Sequence, residues 1–268
     1  MRKDYLEIIN NLKAAVRIGH VDSILAAVGA IENLPEIKSN APIPGPMLEK
    51  LIVPAGETFR SRMVRWETIK HLRRSPLTGT RALMASAAGT RWLLDLYVKK
   101  KALRKAALDP RREVRDTLIL SLKNADPEAI DPLWKTVKKW LNDESPRVQQ
   151  TAILLLPLFM PDRKRKIFKL LAAETPNGNP DINAALVEVL TKFGKDSYGN
   201  KVVDLLSDWA NNEHPNGWVI CKTISGSWAV EYRQECESIL KSLEPGPTDD
   251  RLIDRTYAAL KRNAENKM

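Results

Sequence analysis

The sequence predicts an all-α fold, a right-handed α-solenoid of stacked helical hairpins. Three observations carry this. The first is a 34-residue period: Val114, Leu118 and Leu122 form an i, i+4, i+8 stripe, which recurs as Val148, Ala152 and Leu156 and again as Ile182, Leu186 and Leu190. All nine positions are apolar, and a period of this length marks hairpins too small to bury their own apolar faces alone. The second is punctuation. Each stripe follows a proline-containing turn, at Asp109-Pro110, Asp143-Glu144-Ser145-Pro146 and Asn179-Pro180. The third is composition, since 12 glycines in 268 residues and few β-branched runs argue against a sheet-rich fold.

Residues 1–34 read as an N-terminal helical pair, over 2–18 and 21–34. Leu6, Ile9, Leu12 and Val16 recur at helical spacing, as do Ile24, Leu25, Val28 and Ile31, and Asp22 is placed to cap the second helix. Residues 35–57 read as a proline-rich linker. Pro35, Pro42, Pro44 and Pro46 cannot continue a helix and favour extended chain, with one short helix over 47–53 ended by Pro54 and Gly56.

The repeat region spans 58–248. A helix over 58–74 carries Phe59, Met63, Trp66, Ile69 and Leu72 and breaks at Ser75-Pro76. Pro76 precedes Pro110 by 34 residues, so the phase begins here, although Thr80, Met84 and Ala88 make a weak stripe. Hairpins follow at 91–108 with 112–124, 128–142 with 146–157, 162–174 with 181–194, and 198–211 with 217–230. Within 128–142, Ile130, Leu133, Trp134, Val137, Trp140 and Leu141 share one face, and Lys135, Lys138 and Lys139 lie away from it. In the fourth hairpin the stripe slips by four, to Ile220, Ile224 and Trp228, which places an insertion at 211–217. Residues 249–268 form a C-terminal capping helix with Leu252, Ile253, Tyr257 and Leu260 on its apolar face.

The segment Asp109-Pro-Arg-Arg-Glu-Val-Arg115 resembles the HEAT repeat, in which an Asp-Pro turn is followed by Val-Arg at the start of the second helix. Asp143-Glu-Ser-Pro-Arg-Val-Gln149 echoes it with Gln149 in place of the arginine, and Asn179-Pro-Asp-Ile-Asn183 has lost both Asp and Arg. The acidic residue suits a cap, the proline a first helical turn, and the valine the start of the buried stripe. The resemblance covers roughly residues 58–240. It implies a fold and little about activity. Tetratricopeptide repeats share the period, but their Trp, Leu-Gly and Ala signature is not in phase here. Within HEAT-like proteins, the basic character and the tryptophans are similar to the AlkD-related DNA alkylation repair glycosylases. That weaker resemblance implies a superhelical groove for duplex DNA, with aromatic side chains near a carboxylate. No catalytic residue transfers from it by alignment.

Charge gives the functional lead. The chain carries a formal +10, and residues 60–115 hold 16 Lys or Arg against 4 Asp or Glu, a net of +12. Such a concentration suits phosphates, with salt-sensitive affinity and little sequence readout. The candidate nucleic-acid contacts are Arg73, Arg74, Arg81, Arg91, Lys99, Lys100, Arg104, Arg111, Arg112 and Arg115; the bland alternative is a solvated helix face. Lys101 and Lys105 belong to the same run, and Arg163-Lys164-Arg165-Lys166 forms a second one opening a helix.

Trp66, Trp92, Trp134, Trp140, Trp209, Trp218 and Trp228 mostly sit at core spacing, with Trp92 and Trp218 near helix starts, where they can face a groove. Trp140 with Asp143, and Trp209 with Glu213, set an indole one turn from a carboxylate. Trp140, Asp143 and Trp209 are therefore the candidate catalytic residues of a glycosylase-like pocket, although capping explains Asp143 more simply. Cys221 and Cys236 lack disulfide-framework or metal spacing, and His20, His71 and His214 stand apart, so no metal site and no cofactor are expected. No apolar signal core or spanning segment is present, which leads to the expectation of a cytoplasmic protein without membrane contact. The expected role is non-catalytic binding along a curved basic surface, with nucleic acid as partner. A glycosylase acting on alkylated bases and a scaffold for an acidic protein remain as alternatives.

Overall fold

The computed structural model describes residues 3–38, 42–60, 68, 72, 74–94, 100–123, 127–173, 179–212, 215–244 and 248–266. Among these residues every regular element is helical. The chain divides into two compact units, Met1–Lys139 and Trp140–Met268, with the boundary inside the region read from sequence as one repeat block.

In the first unit, α1 (Lys3–Ile18) and α2 (Val21–Glu32) pack together and bury Leu12, Val16, Ile24, Val28 and Ile31, while Leu6 stays exposed. Gly19, with φ 75°, supplies the left-handed residue between them, and its N–H bonds the Ala15 carbonyl at 3.0 Å. Asp22 is not the cap of α2. His20 occupies that position with no side-chain hydrogen bond, and Asp22 instead puts its charge in the first turn, where the helix dipole favours it.

The expected linker is also different. Residues 45–60 run through Gly45–Met47, a π-turn at Leu48–Ile52, α3 (Val53–Glu57) and a 3₁₀ turn at Thr58–Arg60. Ile43, Met47, Leu51, Ile52, Val53 and Phe59 are all buried. Pro46 and Pro54 each fall in the first turn of a helical segment, where a missing N–H costs nothing. Residues 42–44 stay outside regular structure, with Pro44 extended (φ −59°, ψ 137°), whereas Pro46 and Pro54 divide a buried, folded segment. The expected helix over 58–74 lies mostly outside the described residues.

Next comes α4 (Thr78–Leu94), then α5 (Lys100–Ala107), α6 (Arg112–Lys123) and α7 (Pro127–Leu141). The expected helix over 91–108 falls on the end of α4 and on α5, and its residues 95–99 lie outside the described residues. Helix α4 packs against α2, α3, α5 and α6, and Ala82 to Thr90 are all buried, so it is covered all round. A Cβ on Gly56 would collide with Ser86, and one on Gly89 with Ser121. Close backbone approach therefore replaces side-chain bulk along α4. Thr80, Met84 and Ala88, weak as a hydropathy stripe, are each at most 2% exposed.

The second unit contains α8 (Pro146–Leu155), α9 (Met160–Ala173), α10 (Pro180–Phe193), α11 (Gly199–Ala210), α12 (Gly217–Ile224), α13 (Arg233–Leu243) and α14 (Asp250–Glu265). Helices two apart pack on each other: α8 on α10, α10 on α12, α12 on α14, and likewise α9 on α11 and α11 on α13. Helices α4, α6, α8 and α10 begin at residues 78, 112, 146 and 180, that is, every 34 residues; the next interval, to 217, is 37. All nine stripe positions are buried, as are Ile220, Ile224 and Trp228. The expected helix over 217–230 breaks after Ile224 and resumes as a 3₁₀ stretch, Ser227–Tyr232. Its Trp228 and Tyr232 rings lie over Gly194 and Gly199, so Gly199 is a packing surface at the start of a helix.

Candidate functional site

The basic segment is positioned by α4, α5, α6 and the turns before α4 and α6. Asp109 anchors the second turn. Its Oδ1 accepts the Arg111 N–H at 3.0 Å, closing an Asx-turn ahead of α6, and its Oδ2 accepts the Arg81 Nε–H at 2.8 Å and a second bond from Arg81 Nη2. The Asp109 carbonyl in turn accepts from Arg115 Nη1 at 2.8 Å. Arg115 is 7% exposed and also donates to the Pro110 carbonyl at 3.2 Å. Arg111 turns back across the repeat and donates to the Pro76 carbonyl at 2.6 Å, tying together two turns 34 residues apart. Arg112 pairs with Asp116 at 3.3 Å, one turn along α6. Burial holds the Asp116 carboxyl above the ordinary carboxylate range, although Arg112 and Arg115 pull it down.

These contacts reassign part of the expected surface. Arg115 is an interior staple and cannot meet a partner. Arg81 and Arg111 spend donors on Asp109 and Pro76, because the turn carbonyls and the buried carboxylate need them more than solvent does. Arg74 is exposed, and Arg104 is half-buried in the last turn of α5, where a cation suits the dipole. Arg73 and Lys99 lie outside the described residues, as do the side chains of Arg91 and Lys100.

A groove remains. Arg81, Met84, Ala85 and Ala88 of α4 face Ala102, Lys105, Ala106 and Asp109 of α5 and its following turn, with Arg74 and Val114 completing a cavity of about 230 Å³. Each wall follows i, i+3, i+4, i+7 spacing, one helical face. Among the described residues, three cations and one carboxylate line it, and the other side chains are apolar. Lys105 was not among the sequence candidates, yet its spacing from Ala102 and Ala106 marks it as part of that face. Arg74 also borders a second hollow of about 550 Å³, formed by Leu25, Val28, Glu32, Leu72, Ser75 and Pro76.

None of the expected glycosylase residues lines either hollow described above. Trp140 is 4% exposed and Trp209 1%, so neither indole offers a face to a flipped base. Asp143 serves its own turn: its Oδ1 accepts the Ser145 N–H at 3.0 Å, and its carbonyl accepts from Gln149 Nε2 at 2.7 Å. Glu213 and the side chain of Trp92 lie outside the described residues. Trp218 is 42% exposed on α12. Among the described residues no group of three or more His, Cys, Asp or Glu is arranged to hold a metal, and no helix is long and apolar enough to cross a membrane.

No family model matches this chain, and no curated protein is detectably similar to it.

Proposed function

We propose that this protein is a non-catalytic binding protein of HEAT-like hairpins wound as a right-handed α-solenoid, and that it holds nucleic acid by the phosphate backbone. The repeat reading is supported by four helix starts at 34-residue intervals and by the turn chemistry shared between Asp109 and Asp143. The binding reading rests on one observation. Among the described residues of the 60–115 segment, Arg74, Lys101, Lys105 and Arg112 are exposed cations of one unit, and Arg74 and Lys105 line a groove in which Asp109 is engaged by Arg81. Capture would be electrostatic, along a surface held rigid by the arginines turned inward.

Filter binding of duplex DNA and single-stranded RNA across a salt series tests this. A linear fall of log affinity with log salt, with a slope of roughly −0.7 to −0.9 per phosphate contacted, is the expected result. The slope should flatten when Lys101 and Arg112 are replaced by Gln. No retention of either polymer at low salt overturns the reading, and recovery of a single acidic protein with the chain would then assign the same cations to a protein partner.

A further inference from the structure

We propose that the groove between α11 and α13, in the second unit, takes an extended peptide segment carrying a lysine or arginine. The proposal stands apart from the nucleic-acid reading, which concerns cations of the first unit. Helix α11 lies against α13, and the buried Val203 and Ile239 form the apolar base of a cavity of about 520 Å³ between them. Asp204, Ser207 and Asn211 line one wall, and Glu235, Ser238 and Ser242 line the other, joined there by Gln234. Each wall follows i, i+3, i+7 spacing and is therefore one helical face. In both, the order is a carboxylate, a serine and a further hydrogen-bonding side chain.

Unused hydrogen-bonding capacity defines the ligand. Hydroxyls within the helices of this unit return to their own backbone: Thr223 donates to the Val219 carbonyl and Thr256 to the Leu252 carbonyl, both at 2.8 Å, and Ser242 to Ile239 at 2.7 Å. The hydroxyls of Ser207 and Ser238 do not, and neither they nor the Gln234 amide and the Glu235 carboxylate are hydrogen-bonded to a described residue. Asn211 spends Nδ2 on the Ser207 carbonyl at 2.9 Å and keeps its Oδ1. Hydroxyl and amide groups both donate and accept, which suits the alternating N–H and C=O of a main chain. From Asp204 to Asn211 the wall runs about 10 Å along the helix, the length of about three extended residues.

Charge selects the side chain. Asp204 is paired with Lys201 at 2.8 Å, and Arg233 with Glu237 at 2.6 Å. Among the described residues lining the groove, Glu235 is thus the carboxylate left uncommitted. One carboxylate suits one cationic side chain and not a polyamine, whose several charges need several partners. The surroundings act in the same direction, since residues 199–244 hold 4 Lys or Arg against 7 Asp or Glu, a net of −3 in a chain of +10.

The test is an NMR titration of the full-length protein with capped tripeptides at millimolar concentration: Ala-Lys-Ala, Ala-Ala-Ala, Ala-Glu-Ala, and Ala-Lys-Ala with its central amide N-methylated. The lysine peptide should move the amide resonances of Ser207, Gln234 and Ser238 and bind roughly threefold more tightly than the alanine peptide, with the glutamate peptide weakest. Glu235→Gln, an exposed and so fold-compatible change, should make the lysine and alanine peptides bind alike. Ser207→Ala combined with Ser238→Ala should weaken both by a similar factor, and N-methylation should weaken the lysine peptide. Absence of shifts at these three residues overturns the groove as a binding site. Equal affinity of the N-methylated peptide and its parent overturns recognition of the main chain, and tighter binding of spermidine than of the lysine peptide at the same residues overturns the assignment to a peptide.

Discussion

Gln149 donates to the Asp143 carbonyl at 2.7 Å, and it stands 34 residues beyond Arg115, which donates to the Asp109 carbonyl at 2.8 Å. In both turns the side chain six residues on reaches back to the carbonyl of the Asp whose Oδ1 closes the turn. A neutral amide and a guanidinium thus perform one task. Arg115→Gln should accordingly cost less than about 1 kcal/mol, whereas Arg115→Ala, which strips donors from the carbonyls of Asp109 and Pro110, should cost about 2–3 kcal/mol. Urea midpoints of the two variants check this, and equal losses would show that the charge and not the hydrogen bond matters.

The Asp109 carboxylate accepts from both the Arg81 guanidinium and the Arg111 N–H. Asp109→Ala removes the Arg111 N–H acceptor and leaves Arg81 without its carboxylate. A loss of about 2–3 kcal/mol is expected, since Arg81 keeps some solvent contact at 26% exposure. An unchanged thermal midpoint would contradict the arrangement.

Gly194 lies directly under the Trp228 ring. Gly194→Ala should destabilise by about 1–3 kcal/mol through overpacking and should shift the tryptophan fluorescence of the folded state. Ser197, with φ 68°, sits nearby in the left-handed region. Ser197→Gly should raise stability by up to about 1 kcal/mol, because glycine adopts that conformation without a Cβ penalty. A stabilised Gly194→Ala protein would mean that the ring does not rest on this backbone.

Burial, with help from Glu235 and Glu237, pushes the Cys236 thiol from its ordinary value near 9 up to about 12, and burial also raises Cys221. In the unfolded chain Cys236 ionises above about pH 9, while in the folded chain it stays protonated. Its contribution is therefore fully present below pH 9 and declines as pH rises from 9 to 12, by at most about 1.4 kcal/mol per pH unit. Urea midpoints at pH 8, 9 and 10 should fall, and less steeply in Cys236→Ala. Native protein at pH 8 should leave both thiols unreacted with a disulfide reagent until it unfolds.

The stripes were legible because bulky apolar residues at i, i+4 and i+8 announce a buried face, and all nine are buried. Helix α4 was not, because Thr80, Met84 and Ala88 carry little hydropathy; its burial comes from glycine and serine contacts with partners far along the chain. The linker was misread because proline density says where helical segments restart as readily as where they end, and Pro46 and Pro54 do the former. The basic segment was visible as charge. Its division into inward and outward residues was not, since Arg81 finds Asp109 28 residues away and Arg111 finds Pro76 35 away, and no local pattern reports such meetings. The helical spacing of Lys105 with its alanines was the one signal that could have placed it on the groove.

The exchange of Arg115 for Gln149 has an evolutionary consequence. If bends can be locked by either residue, the outline of the chain is insulated from its electrostatics. Positive charge can then accumulate or drain away, one hairpin at a time, without redrawing the backbone, and new affinities become reachable by substitutions that leave the scaffold alone.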